Sequence, residues 1–319
     1  MKLRIPLLSG VLFFSVGLSG AQEHVQIHGL LQLRAIGIID TNIYEGYTHS
    51  TFYMRRGEIS LSSTMLEDRF HWAVRLDPIA LASRIVQDVY AEYRFDEAAK
   101  VRFGQFKYPQ SLDGQWSSSK LSFVRRSLVG RIYGDKRDIG IQLTGSSPPI
   151  EYAVGVFNGN GRNVVDNNSE KDVAGRITLQ ATDWLRVGGS FYNGTFLYAA
   201  NTPNSHNGDL DRFGGDARAS WSGLTLQGEY MLGKDDAVKN RGWYVQAATV
   251  VVNQLTFAFR IDQFTQSTDL PDQRTTVFTV GGYYTLNDAL RIDLNYLIVD
   301  DKRIQVNDNQ ILAQWQVSF

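Results

Sequence analysis

The sequence contains no cysteine, which excludes a disulfide framework, a thiolate metal site and a cysteine nucleophile. Only 7 of its 319 residues are proline, and beyond residue 21 no window of 18 apolar residues occurs. A membrane-crossing helix is thereby excluded from the main body of the chain. No large excess of one charge sign is present, since 32 basic residues meet 33 acidic ones, so nucleic acid is not expected as a partner. The five histidines, His24, His28, His49, His71 and His206, have no metal-ligand spacing, and no serine, histidine and acid grouping suggests catalysis. Asp166 to Asp172 carries oxygen ligands but not a full calcium-loop pattern, and reads as a solvated outer loop. No cofactor is implied.

What is present begins with a leader. Met1 to Ala21 opens with Lys2 and Arg4, runs apolar around Leu7 to Val16 and closes on Ser19-Gly20-Ala21, the pattern of a secretory signal cleaved before residue 22. The leader holds two basic residues and no acid, so the remaining 22–319 carries 30 basic against 33 acidic residues.

From there the chain alternates in period two. Ile311, Ala313, Trp315, Val317 and Phe319 share one face while Gln310, Gln314, Gln316 and Ser318 share the other, with Leu312 alone breaking the pattern. The same reading holds for Leu255, Phe257, Phe259 and Ile261 against Thr256, Arg260 and Asp262. Sixteen such segments fit between residues 25 and 319, and the even number suits a closed antiparallel barrel. Short connections alternate with longer ones, the longer set being roughly 39–50, 78–83, 107–136, 158–171, 193–211, 232–241, 265–273 and 299–308. The 193–211 connection reads as mobile surface.

A soluble sandwich or propeller also alternates, but several of these strands reach ten residues, enough to cross a bilayer at a tilt. The expected fold is therefore all-β, a transmembrane antiparallel barrel of about 16 strands in lipid. Tyr53, Phe95, Phe103, Tyr152, Trp184, Trp221, Trp243 and Tyr283 lie near strand ends and would supply interfacial girdles.

The most unusual stretch is 100–137, with nine basic residues against Asp113 and Asp135. Most of it is the longest connection, about 29 residues after the fifth strand, and a loop that long usually has a role. Folded inward it would narrow a sixteen-stranded lumen, where basic residues select anions.

The motifs here resemble those of a known family. Phe52-Tyr53-Met54-Arg55-Arg56-Gly57-Glu58-Ile59-Ser60-Leu61, Val101 to Pro109, Ser117-Ser118-Ser119-Lys120, Arg125-Arg126-Ser127, Arg137-Asp138-Ile139-Gly140 and Tyr152 to Gly159 are similar to the phosphate-selective porin O and P family. The resemblance implies a sixteen-stranded homotrimeric outer-membrane porin with an inward third loop, an arginine ladder, and paired arginines with a lysine at the constriction.

Carried over by position, Arg55, Arg56 and Lys120, with Arg125 and Arg126, are the expected anion-binding constriction. Neighbouring side chains on a regular strand face opposite ways, so Arg56 is the preferred lumen residue and Arg55 belongs near a rim or bulge. Arg34, Arg75, Arg94 and Arg102, with Glu58, are the expected pore lining, the arginines as a ladder beside the loop. Glu58, Asp77, Asp88 and Glu92 share the polar side, so the lumen is mixed in sign and supports anion preference more than phosphate specificity. The expected function is passive diffusion of small hydrophilic solutes, anions such as phosphate above others, with outer-membrane lipid and further copies of the chain as partners. The competing readings are a general or carbohydrate-selective porin, and a barrel enzyme or soluble exported binding protein.

Overall fold

The computed structural model describes residues 24–39, 50–198, 206–303 and 309–319; the leader 1–21 lies outside the described residues. The strands are β1 (Gln26–Ile39), β2 (Ser50–Met65), β3 (Phe70–Leu76), β4 (Val86–Asp96), β5 (Ala99–Lys107), β6 (Arg137–Ser147), β7 (Ile150–Phe157) and β8 (Asp172–Thr182). They continue as β9 (Leu185–Tyr198), β10 (His206–Trp221), β11 (Leu224–Asp235), β12 (Val238–Val252), β13 (Leu255–Thr265), β14 (Arg274–Thr285), β15 (Leu290–Asp301) and β16 (Asn309–Ser318). Each pairs antiparallel with its chain neighbours, and β1 closes the barrel on β16, from Leu30 opposite Ser318 to Ile39 opposite Asn309. Closure leaves no edge strand unpaired.

Alternation sets the two surfaces, and the usual order of burial is inverted. Along β13, Phe257 and Phe259 are exposed on the outside while Arg260 and Asp262 are buried on the inside. On β16, Ile311 and Trp315 face out and Gln314 and Gln316 face in. An apolar exterior around a polar interior is stable only where lipid replaces water outside. Phe95, Phe103, Trp184 and Trp221 project outward, and Trp243 does so while donating its indole N–H to Gln263 Oε1 at 3.2 Å. Tyr53 and Tyr283 do not join a girdle. Tyr53 lies opposite Arg34 on the inner face, and Tyr283 lies under the Arg291 guanidinium at 3.7 Å.

Leu312, the break in the sequence pattern, turns inward and is fully buried with Val124, Val277 and Leu297. Inward apolar residues of this kind mark where something packs against the inner wall.

Seven short turns occupy one rim, among them Ser222 and Gly223, whose φ values of 47° and 82° give a two-residue turn with the twist of the flanking strands. On the opposite rim the 232–241 connection shrinks to Asp236 and Ala237, because pairing continues through Asp235 opposite Val238. Likewise much of 193–211 is hairpin rather than loop, since β9 and β10 pair as far as Tyr198 opposite His206. Glycine and polar residues at the ends of these strands, Gly194, Gly208 and Gly233 among them, disguised them as loop in the sequence.

Candidate functional site

The segment between β5 and β6 holds two short helices, α1 (Leu112–Gln115) and α2 (Leu128–Ile132), joined by a single 3-10 turn at Ser118–Lys120. Each helix is capped locally by a serine: Ser111 Oγ accepts from Gly114 N at 3.2 Å and Ser127 Oγ from Gly130 N at 3.0 Å. Carboxylates of the barrel wall reach the same helix starts. Glu229 on β11 accepts from Leu112 N at 2.9 Å, and Asp262 on β13 accepts from Leu128 N at 2.9 Å. Gly114 and Gly134 pack so closely that a β-carbon on Gly114 would lie 2.4 Å from the Gly134 α-carbon, which holds the two ends of the segment together.

The middle of the segment is held by the far wall. Val124 N donates to Asn295 Oδ1 on β15 at 2.7 Å, and Arg34 on β1 donates to Val124 O at 2.6 Å. Arg291 donates to Leu121 O at 2.6 Å, and Arg260 to Arg125 O at 3.0 Å. Every one of these wall residues belongs to the polar inner face, so the segment lies inside the barrel and crosses its bore. Val124 and Val129 are fully buried there, each worth about 1.5–3 kcal/mol of apolar burial.

Asp135, just before β6, is an electrostatic hub. Its carboxylate meets Lys107 Nζ at 2.7 Å, Arg126 Nε at 3.3 Å, and Arg56 and Arg137 at 3.8 Å each. Burial alone would raise its pKa, but Lys107, Arg126 and Arg137 outweigh burial and hold it well below the usual carboxylate range.

Against this frame each expected site residue has a definite place. The register of β1 against β2 slips between Gln32 opposite Arg56 and Leu33 opposite Met54, leaving Arg55 as the extra residue of a bulge. Arg55 consequently lines an inner cavity, as Arg56 faces the lumen too. Their states differ. Arg56 is only 8% exposed and paired with Glu58, whereas the Arg55 guanidinium makes no ion pair or hydrogen bond among the described residues. Lys120 is exposed and also without an ion pair among the described residues. Arg125 lines a cavity and donates to Gln310 Oε1 at 2.8 Å, with no carboxylate partner among the described residues. Arg126 also borders that cavity but is buried within the segment, where it pairs with Asp135 and donates to the carbonyls of Asp113 and Trp116, so its charge is taken up internally.

The arginine row is mostly neutralised. Arg75 pairs with Asp88 at 3.1 Å and Arg102 with Glu92 at 2.7 Å. Arg94 pairs with Glu97 at 3.0 Å in the short turn, at the rim away from the inner segment. Arg34 is buried and ties Gln314 Oε1 at 2.7 Å to the segment. Sequence reasoning missed Arg84, Arg162 and Arg218 altogether as lining residues, and did not separate Arg131 and Lys136 from the rest of the basic run; nothing local distinguishes an unpaired arginine from a paired one.

The inner segment divides the bore. Toward the long-loop rim lie two cavities of about 780 and 760 Å³ that share Arg131, Ile132 and Tyr133 as a common wall. The second is lined by seven basic residues, Arg55, Arg84, Arg131, Lys136, Arg137, Arg162 and Arg212, against Asp135 and Asp138. Burial, followed by the repulsion of Arg162, Arg84 and Arg212, lowers the Lys136 pKa below the usual lysine range despite the pull of Asp135. Toward the short-turn rim lie cavities of about 150 and 390 Å³, both lined by Trp116, Lys120 and Arg218. Arg260 lines both the 780 Å³ and the 150 Å³ cavity, so it stands between the two sides.

A sixteen-stranded barrel, apolar outside and polar inside, with a segment folded across its bore, is the architecture of an outer-membrane porin. Known structures agree on the fold. The anion-selective porin from Comamonas acidovorans superposes with a TM-score of 0.69 at 11% identity, over 93% of this chain and 100% of that one. In-vitro folded OmpT of Vibrio cholerae gives 0.69 at 12% identity over 95% and 99%, and Pseudomonas putida OprB 0.66 at 11% over 92% and 94%. No curated protein matches the sequence. The family model for phosphate-selective porin O and P matches residues 37–196, half of the chain, and the chain belongs to that family.

Proposed function

We propose that this porin passes small hydrophilic anions in preference to cations, phosphate among them, by diffusion down their gradients. The observation that carries the reading is the 760 Å³ cavity, with seven basic residues against two acidic ones, where Arg55, Arg131 and Lys136 have no ion-pair partner among the described residues. A cation there meets uncompensated positive potential in a confined, partly desolvated space, while an anion gains attraction that remains weak enough to release it. Arg125 and Lys120, without an ion pair among the described residues, extend positive charge toward both rims, whereas Arg56, Arg75 and Arg102 serve chiefly as partners of Glu58, Asp88 and Glu92. Membership of a family named for phosphate selectivity, and the likeness to an anion-selective porin, support the same reading. Residues 1–21 act in it as a secretory leader, and the working unit is a homotrimer, as in the trimer form of OmpT.

The test is the zero-current potential of the purified protein in a planar bilayer across a KCl gradient, then with phosphate added. Anion preference, with conductance reduced by phosphate, is expected. Loss of anion preference in Lys120→Glu and Arg55→Glu would tie it to the named cations. A cation-selective parent channel overturns the reading.

A further inference from the structure

The short-turn side of the bore has a chemistry different from the basic cavity above it. Around the 150 Å³ cavity, three aromatic rings each carry an arginine on their face: Arg218 lies 4.6 Å from the Trp116 ring centre, Arg260 4.6 Å from Phe123, and Arg291 3.7 Å from Tyr283. Two of these arginines are compensated, Arg260 by Asp262 at 2.9 Å and Arg291 by Asp293. Arg218 is not; its guanidinium makes no ion pair or hydrogen bond among the described residues, and the indole is its neighbour. Lys120 stands beside it, likewise unpaired, and both line the 390 Å³ cavity as well, together with Trp116 and Leu112.

A bare inorganic anion would use the two cations alone and gain nothing from the rings. A guanidinium stacked on an indole is weakly hydrated and offers an apolar surface next to a positive charge. A flat organic anion satisfies both halves at once. Its carboxylate meets Lys120 and Arg218, and its ring lies against Trp116 and Leu112, burying apolar surface that acetate lacks. The 390 Å³ cavity falls within the range of small-molecule sites.

Building on the anion-preferring reading above, we propose that Trp116, Lys120 and Arg218 form a binding station for aromatic carboxylates on the short-turn side of the bore. The station gives the channel a second selectivity, for the organic part of the solute, that the basic cavity toward the long loops does not supply.

The test compares benzoate with acetate as blockers of chloride current through the purified porin in planar bilayers, each added to both sides at neutral pH. Benzoate is expected to half-block at a concentration at least tenfold below acetate. Trp116→Ala is expected to bring the two within about twofold, Trp116→Phe to keep most of the preference, and Arg218→Gln to weaken benzoate block several-fold. The ratio of the two blockers is read within each variant, so a change in channel number or conductance does not disturb it. Should Trp116→Ala fail to assemble, Trp116→Phe and Arg218→Gln carry the comparison. Equal block by benzoate and acetate in an anion-selective parent overturns the station and leaves the anion reading standing. A preference for benzoate that survives Trp116→Ala overturns the assignment to this site, and a cation-selective parent overturns both readings.

Discussion

Glu229, deep on the inner face of β11, accepts the hydroxyl of Ser111 at 3.0 Å although 118 positions separate them in the chain. The same carboxylate takes the Leu112 amide at 2.9 Å, so one wall residue fixes the start of the segment that crosses the bore. A hydrogen bond of this kind contributes about 0.5–1.5 kcal/mol net, and Ser111 and Glu229 are both buried. Glu229→Ala is therefore expected to loosen the segment while leaving the barrel closed. Single-channel recordings would show larger open-state current noise, and thermal unfolding a lower midpoint. An unchanged noise spectrum and midpoint would mean that the remaining wall contacts hold the segment without Glu229.

Arg55 and Arg56 are adjacent in sequence and opposite in circumstance, and the bulge at Arg55 is the reason. Arg55→Glu places a carboxylate in the basic cavity and is expected to lower the anion-to-cation permeability ratio several-fold with assembly intact. Arg56→Ala strands Glu58, which is 8% exposed, without its partner, a loss of about 3–5 kcal/mol for a buried ion pair broken from one side. It is expected to act mainly on heat stability of the folded barrel, measured by the gel-mobility shift on heating. The reverse pattern, with selectivity lost in Arg56→Ala and stability in Arg55→Glu, would refute the assignment.

These two arginines also mark how far the sequence could be read. Alternation of Phe257, Phe259 and Ile261 against Arg260 and Asp262 is a local property, and it defines strands and faces without knowledge of any partner. Leu312 was visible as a break in that alternation, but its cause, Val124 docking from the inner segment, sits 188 positions away. A bulge inserts one residue without a compositional mark, so the motif left a rim or a bulge open for Arg55 and could not say that both side chains enter the lumen. Nor could charge counting separate Arg55 from Arg126, since pairing depends on Asp135 and on carbonyls brought near only by the folded segment.

The two ends of the pH scale should act on different residues of that segment. Asp135 is depressed in the folded protein by Lys107, Arg126 and Arg137, against the effect of burial. Its contribution to stability is present above the unfolded carboxylate pKa and is lost as pH falls through the lower folded value. Attachment of the segment should thus persist below the ordinary carboxylate range. Lys136 behaves in the other sense. Burial and neighbouring arginines lower it, so it gives up its proton before an ordinary lysine does and the basic cavity weakens early on the alkaline side. Zero-current potentials measured from pH 7 upward should show anion preference falling before the usual lysine range, and Lys136→Arg should postpone the fall. Identical alkaline profiles for the parent and Lys136→Arg would remove Lys136 from the selectivity mechanism.

The seam where β1 meets β16 rests on a glycine. Gly29 and Phe319 exchange backbone hydrogen bonds, Gly29 N to Phe319 O at 2.7 Å and Phe319 N to Gly29 O at 3.1 Å. The terminal ring lies over the space a side chain would need, since a β-carbon on Gly29 would fall 2.1 Å from the ring. The ring is the far end of a side chain that is 73% exposed, so a methyl can be accommodated by turning it, but a branched side chain displaces it from the seam. Gly29→Ala is expected to assemble with a slightly lowered heat stability, and Gly29→Val to show a clearly larger drop, read from the temperature at which the folded band is lost in gel mobility. Phe319→Ala removes the obstacle, so the double variant Gly29→Val with Phe319→Ala should lie closer to Phe319→Ala alone than Gly29→Val lies to the parent. Additive losses in the double variant would show that the glycine is required for some reason other than the ring above it.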